Sequence, residues 1–149
     1  MAVEAAHILR QRGMDFVWYF IGDGSDRNKL EEKINSLGLT ERIVITGFMD
    51  NPFPLMSQCD IYVQPSYEEA FGRTIKEALV LGKTVVSTAT AGGKAILQNG
   101  ELGKLTSIDA KGLANGILEA AEQNVCKYTM EMNKREKEIY ISALEKLFS

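Results

Sequence analysis

Short apolar runs alternate with amphipathic segments along most of this 149-residue chain. The runs lack the apolar–polar alternation of a strand that has one face in water. We predict strands at residues 15–21, 42–46, 60–64 and 84–87, with a weaker one near 104–106. Strands of this kind, separated by helices, are typical of a parallel sheet that is covered on both faces. The chain is therefore predicted to be α/β, with a Rossmann-like parallel sheet and helices on both faces.

The segments between the runs carry the end signals of helices. We predict helices over residues 2–12, from 25 or 26 to 37, and over 54–58, 73–81, 94–98, 110–123 and 130–148. Gly13, Gly38 and Gly82 follow three of them, at the position where glycine commonly ends a helix. The length fits a single domain, residues 1–149, with about 125–149 as a C-terminal helical extension.

Composition and charge narrow the classes of function. Hydrophobic residues make up 45% and charged residues 25%, as in an ordinary globular protein. The net charge of −3 argues against a nucleic-acid partner, because such proteins usually carry a basic stripe. Cys59 and Cys126 have neither metal-ligand nor disulfide spacing, and His7 is the only histidine. With no transmembrane run and no signal pattern, we predict a cytoplasmic protein.

The loops that follow strands should carry the chemistry, because ligands of open parallel sheets bind beyond the carboxyl ends of the strands. These loops are residues 22–26, 47–52, 65–73 and 88–94. In the third, Gly72 lets the backbone turn into a helix, whose first amides form a ready anion site. Glu69 before the helix and Glu77 within it can accept hydroxyl hydrogen bonds. Amides for a diphosphate and carboxylates for hydroxyls together indicate a nucleotide-sugar ligand.

The segment PSYEEAFGRTIKEALVLGKTVVS resembles the E-x7-E motif of the family 4 (group 1) retaining glycosyltransferases, which have the two-domain GT-B fold. Glu69 and Glu77 match the two glutamates of that motif. The resemblance extends to GDG, RIVITGF, CDIYVQPS and AGGKAILQNGELG, and weakens after about Asn124. It implies that the chain is the C-terminal, donor-binding domain of a GT-B enzyme and lacks the first strand of that domain.

The resemblance also implies roles for individual residues. Glu69, the catalytic candidate, would contact hydroxyls of the donor sugar, and Glu77 would hold the ribose hydroxyls. The expected diphosphate contacts are the amides around Phe71, Gly72, Arg73 and Thr74. The expected base contacts are Gly47, Phe48 and Met49, while Gly22 and Gly24 would let the chain pass close to the cleft. Such enzymes usually work without a bound metal, so the nucleoside diphosphate sugar is expected as substrate and no cofactor is expected.

Two departures from the family pattern matter. Such enzymes bind the diphosphate through an Arg and a Lys that precede the first helix, whereas this chain begins at that helix. Losing two charge-assisted hydrogen bonds costs on the order of 3–6 kcal/mol, or about 10²–10⁴ in rate. In addition, Ala95 stands where the Gly-Gly loop usually leads to a glutamate. We hypothesise that either Arg73 or Lys94 partly compensates for the missing cations.

Several interpretations remain open at this point. Glu77 could simply pair with Arg73 four residues earlier, a contact that is worth a few tenths of a kcal/mol. The chain could be the donor half of an enzyme that transfers a hexose-type sugar in glycan or polysaccharide synthesis, inactive without its N-terminal acceptor domain. It could instead be a natural subunit of a two-chain transferase, or a non-catalytic module of the same fold. Base, sugar, acceptor, peripheral membrane association of the full protein and oligomeric state are left open.

Overall fold

A computed structural model of the protein describes residues 1–123. The helices are α1 (Ala2–Gln11), α2 (Arg27–Ser36), α3 (Phe53–Gln58), α4 (Arg73–Val80), α5 (Ala91–Ile96) and α6 (Ala110–Gln123). The strands are β1 (Trp18–Ile21), β2 (Ile43–Gly47), β3 (Ile61–Gln64), β4 (Thr84–Thr88) and β5 (Lys104–Thr106). A single 3₁₀ turn, Gln98–Gly100, precedes β5. The predicted helix over 130–148 lies outside the described residues.

All strand pairs between these elements are parallel, which confirms the predicted α/β class. β1 pairs with β2, with Trp18 opposite Ile43, and a second sheet has the order β3-β4-β5. β1 and β3 therefore each have one neighbour, and no strand of the described part lies between them. α1 packs against both sheets, because Leu9 belongs to a core cluster that Trp18 and Ile61 both contact. This arrangement agrees with an open, Rossmann-like parallel sheet.

Helices cover both faces of the three-stranded sheet, as predicted. Val85 of β4 packs on one face into a core formed with α3 and α4. Its neighbour Val86 packs on the other face against α1 and α6. Burying a side chain of this size contributes about 1.5–3 kcal/mol. β4, the middle strand of the three-stranded sheet, is therefore buried on both faces.

β1 differs from the prediction in length and in burial. We expected a strand over 15–21 that is buried on both faces, but pairing starts only at Trp18, where β2 offers its first partner. Trp18 and Phe20 pack against the helices, whereas Tyr19 is 47% exposed and Ile21 is 39% exposed. The reason is that α1 and α2 lie on the same face of this sheet, and no described element covers the other.

α5 also differs from the prediction, which placed a helix over 94–98. The observed helix begins at Ala91 and contains the glycine pair that was expected to precede it. Its N-cap is Thr90, whose side-chain oxygen accepts a hydrogen bond from the amide of Gly93 at 3.1 Å. This cap satisfies one of the free amides at the helix start and shifts the start toward the strand. None of the helices described in residues 1–123 is long and apolar enough to cross a bilayer.

Candidate functional site

The loop after β3 is held in place by the end of β4. The hydroxyl of Thr88, which is buried, donates to the carbonyl oxygens of Ser66 at 2.6 Å and Gln64 at 3.2 Å. Farther along the loop, the amide of Gly92 donates to the carbonyl oxygen of Glu69 at 2.7 Å. The structure thus brings together two of the four loops that were predicted to carry the chemistry, residues 65–73 and 88–94.

Two glycines make this contact possible, for different reasons. Gly72 is the N-cap of α4 and has left-handed backbone angles, φ +52° and ψ +38°. Residues other than glycine rarely adopt these angles. Gly92 has no such angle, but a Cβ there would lie 2.6 Å from the carbonyl oxygen of Glu69. The first glycine therefore allows the turn into α4, and the second allows the close approach of the two loops.

Glu69 folds back onto the start of α4. Its Oε1 accepts hydrogen bonds from the amides of Phe71 at 3.0 Å and Gly72 at 2.9 Å. These bonds hold the pKa of Glu69 below its ordinary value, and the bond from the Gly72 amide has the larger effect. Two of the amides predicted to bind a diphosphate are thus occupied by a carboxylate of the chain itself. Among the described contacts, the amides of Arg73, Thr74 and Ile75 have no hydrogen-bond partner.

Glu77 lies within α4 and is half-buried. It makes no ion pair with Arg73 or with any other described residue, so the surface pair considered from the sequence is not formed. Burial raises the pKa of Glu77, while the charge of Arg73 acts in the opposite direction. Arg73 and Lys94 are both exposed and likewise have no ion-pair partner among residues 1–123. Two cations that form no ion pair within residues 1–123 therefore lie on α4 and α5.

The other two predicted loops meet on the two-stranded sheet. The amide of Gly22 donates to the carbonyl oxygen of Gly47 at 2.9 Å. Phe48, which follows, is 76% exposed, and Met49 is half-buried. A Cβ on Gly24 would meet no atom within 4 Å, so nothing near it requires a glycine there. No hydrogen bond between described residues joins these loops to Glu69 or Glu77, so the structure forms two loop pairs, one on each sheet.

A cluster of polar side chains at the end of β3 was not predicted. Oε1 of Gln64 accepts from the hydroxyls of Tyr62 at 2.5 Å and Thr74 at 3.1 Å, and its Nε2 donates to Oγ of Ser66 at 2.8 Å. Burial, the largest effect, raises the pKa of Tyr62 to about 12. The only signal in the sequence was a polar residue closing an otherwise apolar strand. In the part of the chain described, no three His, Cys, Asp or Glu side chains are placed to hold a metal ion.

Comparison with known proteins places this chain in a family. A sequence profile of the family described as glycosyl transferases group 1 matches residues 1–123. The lipopolysaccharide core biosynthesis glycosyltransferase LpsE of Rhizobium meliloti (strain 1021) is 32% identical over 110 residues, which are 73% of this chain and 32% of LpsE. The 2-deoxystreptamine glucosyltransferase of Streptomyces kanamyceticus is 36% identical over 93 residues, 61% of this chain and 24% of the relative.

Solved structures agree with this placement. The Anabaena protein Alr3699/HepE, crystallised in complex with UDP-glucose, superposes with a TM-score of 0.75 and 30% identity. The superposition covers 85% of this chain and 36% of HepE. The chain therefore has the fold of a GT-B glycosyltransferase domain. It belongs to the group 1 glycosyltransferase family, and it spans about a third or less of the length of these relatives.

Proposed function

We propose that this chain is the donor-binding domain of a retaining glycosyltransferase, which takes a hexose-type sugar from a nucleoside diphosphate sugar. The observation that carries the proposal is the start of α4, where unbonded amides lie between the carboxylates of Glu69 and Glu77 along the chain. The UDP-glucose bound by HepE supports a ligand of this class. LpsE, which is named for lipopolysaccharide core biosynthesis, supports an acceptor in glycan synthesis.

The chemistry follows from where charge develops during the transfer. The leaving diphosphate gains negative charge as the bond to the sugar breaks, and preorganised donors lower the barrier most when they face that charge. In our proposal the free amides of Arg73 and Thr74 supply those donors. Arg73 and Lys94 add positive charge, so the proposal assigns the counter-charge to these groups rather than to a metal ion. Glu77 accepts hydrogen bonds from the ribose hydroxyls, and Glu69 turns toward hydroxyls of the sugar.

We further propose that another polypeptide segment completes the cleft. β1 and β3 each leave one edge unpaired, and α1 contacts both of their sheets. Unpaired edges are ready templates for a further strand. A segment that belongs before α1 in the donor domain would supply that strand together with the missing cations, and the acceptor-binding half, in the same or a separate chain, would close the cleft. The isolated chain is therefore expected to bind a donor without transferring its sugar. Cytoplasmic location and peripheral membrane association of the full protein remain predictions for fractionation to test.

Calorimetric titration of the 149-residue chain with UDP, GDP, ADP and their glucose conjugates tests the proposal. We expect weak binding that favours one base, and at least about tenfold weaker binding by Glu77→Ala, the value of one charge-assisted hydrogen bond. Glu101→Ala is the matched control, because Glu101 is an exposed carboxylate in the turn before β5. If the wild-type chain binds none of these nucleotides, the proposed function is wrong. Sugar transfer by the isolated chain would contradict its being one half of an enzyme.

A further inference from the structure

We propose that Gln64 is a positioning residue for donor binding, which sets where the start of α4 presents its amides. This inference rests on the proposed function, because it concerns the same site. Gln64 is the last residue of β3, and nothing about its side chain follows from the E-x7-E motif. Its amide group nevertheless contacts all three parts of the site: the strand, the loop and the helix.

The geometry of these contacts carries the proposal. Within β3, the hydroxyl of Tyr62 donates to Oε1 of Gln64 at 2.5 Å. In the loop, Oγ of Ser66 accepts from Nε2 at 2.8 Å. In α4, the hydroxyl of Thr74 donates to the same Oε1 at 3.1 Å. One half-buried side chain thus makes three hydrogen bonds that together join β3 to the first turn of the helix.

Thr74 links this cluster to the ligand. It is the second residue of α4, and its backbone amide is one of the three at the helix start that have no partner among the described residues. Its hydroxyl is already used as a donor to Gln64, so Thr74 offers a diphosphate its backbone amide while its side chain anchors the turn. Hydrogen bonds to an anion weaken steeply when the donor moves from its best distance and angle. The anchor therefore determines how well these amides meet a phosphate oxygen.

The test separates a positioning role from a merely structural one by comparing two ligands. Thr74→Val and Gln64→Met remove parts of the cluster, and Thr74→Ser restores the hydroxyl. Dissociation constants are measured by NMR titration for the preferred nucleoside diphosphate and for the matching nucleoside, which has no phosphate to meet α4. Thr40→Val, at an exposed position outside the site, is the matched control. Circular dichroism of each variant reports whether the fold is retained.

We expect Thr74→Val and Gln64→Met to bind the diphosphate about three- to tenfold more weakly, the value of one lost hydrogen bond. Their affinity for the nucleoside should stay within about twofold of wild type, and Thr74→Ser should bind both ligands as wild type does. If the wild-type chain binds the diphosphate and both variants bind it equally well, the role of Gln64 is wrong and the proposed function stands. Equal losses for both ligands would also overturn it. A wild-type chain that binds no nucleotide overturns both proposals.

Discussion

Glu69 and Glu77 lie on either side of the start of α4, and their surroundings move their pKa values in opposite directions. Two backbone amides lower the pKa of Glu69, so its ionised form stabilises the fold above the ordinary carboxyl pKa. That contribution is lost as the pH falls through the lowered value. Burial raises the pKa of Glu77, so its neutral form is favoured in the folded state. Its contribution is present at low pH and is lost as the pH rises through the raised value.

We therefore expect substitutions of these glutamates to change stability with opposite signs. Glu77→Gln should raise the free energy of unfolding at pH 7 by a few tenths to about 1 kcal/mol, and should change little near pH 3.5, where the wild-type carboxyl is neutral. Glu69→Gln should lower it at pH 7, with a smaller loss near pH 3.5. Urea unfolding at both pH values measures these differences. A Glu77→Gln variant that is less stable than wild type at pH 7 would contradict the assigned burial effect.

Gly92 gives a second prediction at the scale of one residue. Its absent Cβ would lie 2.6 Å from the carbonyl oxygen of Glu69 and 3.0 Å from the carbonyl carbon of Ala70. Both are backbone atoms, so no side-chain rotation relieves the clash. We expect Gly92→Ala to lower the free energy of unfolding by about 1–3 kcal/mol and to weaken donor binding by moving the Glu69 loop. Gly24→Ala, where the space is open, should be neutral or slightly stabilising. Thermal unfolding measures the stability of both variants. Equal stabilities would contradict the close approach of Gly92 to the backbone of the Glu69 loop.

At the scale of elements, α4 and α5 bring two cations to the site. The start of a helix carries partial positive charge. Arg73, the first residue of α4, and Lys94, within α5, each add a full positive charge. We expect the double variant Arg73→Ala/Lys94→Ala to bind a nucleoside diphosphate several-fold more weakly at low salt. The difference should shrink at high ionic strength, because exposed charges are screened. Lys111→Ala, on the exposed face of α6, is the control for general charge. Unchanged affinity in the double variant would rule out compensation by these two residues.

Most elements with local end signals were predicted from the sequence, whereas features set by distant contacts were not. The starts of α4 and α6 and the whole of β5 were predicted correctly, because turns and helix caps mark them within a few residues. β1 is shorter than its apolar run because its pairing begins only where β2 begins. The start of α5 is marked by the Thr90 cap, a local signal that the prediction missed because it treated Gly92 and Gly93 as preceding the helix. Gln64 was missed because its partner Thr74 becomes a neighbour only when α4 packs against β3.

At the scale of the whole molecule, the split sheet distributes stability unevenly. β4 is the only strand in the described part that has a neighbour on each side. In a parallel sheet, each strand pairs with both neighbours through alternating backbone groups. β1, β2, β3 and β5, which each have one strand neighbour, therefore leave about half of their amides without a strand partner. Local opening should cost less at these four strands than at β4.

Hydrogen exchange measured by mass spectrometry tests this order in the isolated chain. Peptides covering β4 should exchange most slowly of the strand peptides, because their amides open only when the core on both faces is lost. Peptides covering β1 and β3 should contain a faster fraction that corresponds to the unpaired edges. Equal, full protection of all three strands would mean that the space between β1 and β3 is already filled. Addition of the completing segment should slow the exchange of β1 and β3 and leave β4 unchanged.

The contact of Glu69 with the amides of Phe71 and Gly72 has a consequence for competition between ligands. A carboxylate tethered so close to its donors acts as an intramolecular competitor, with an effective concentration on the order of millimolar or more. Free inorganic phosphate has to displace it and carries no sugar hydroxyls to which it can turn. A nucleotide-sugar brings hydroxyl groups, to which the released carboxylate can turn. We therefore expect the loop to disfavour simple anions and to favour a ligand that carries phosphate and sugar together.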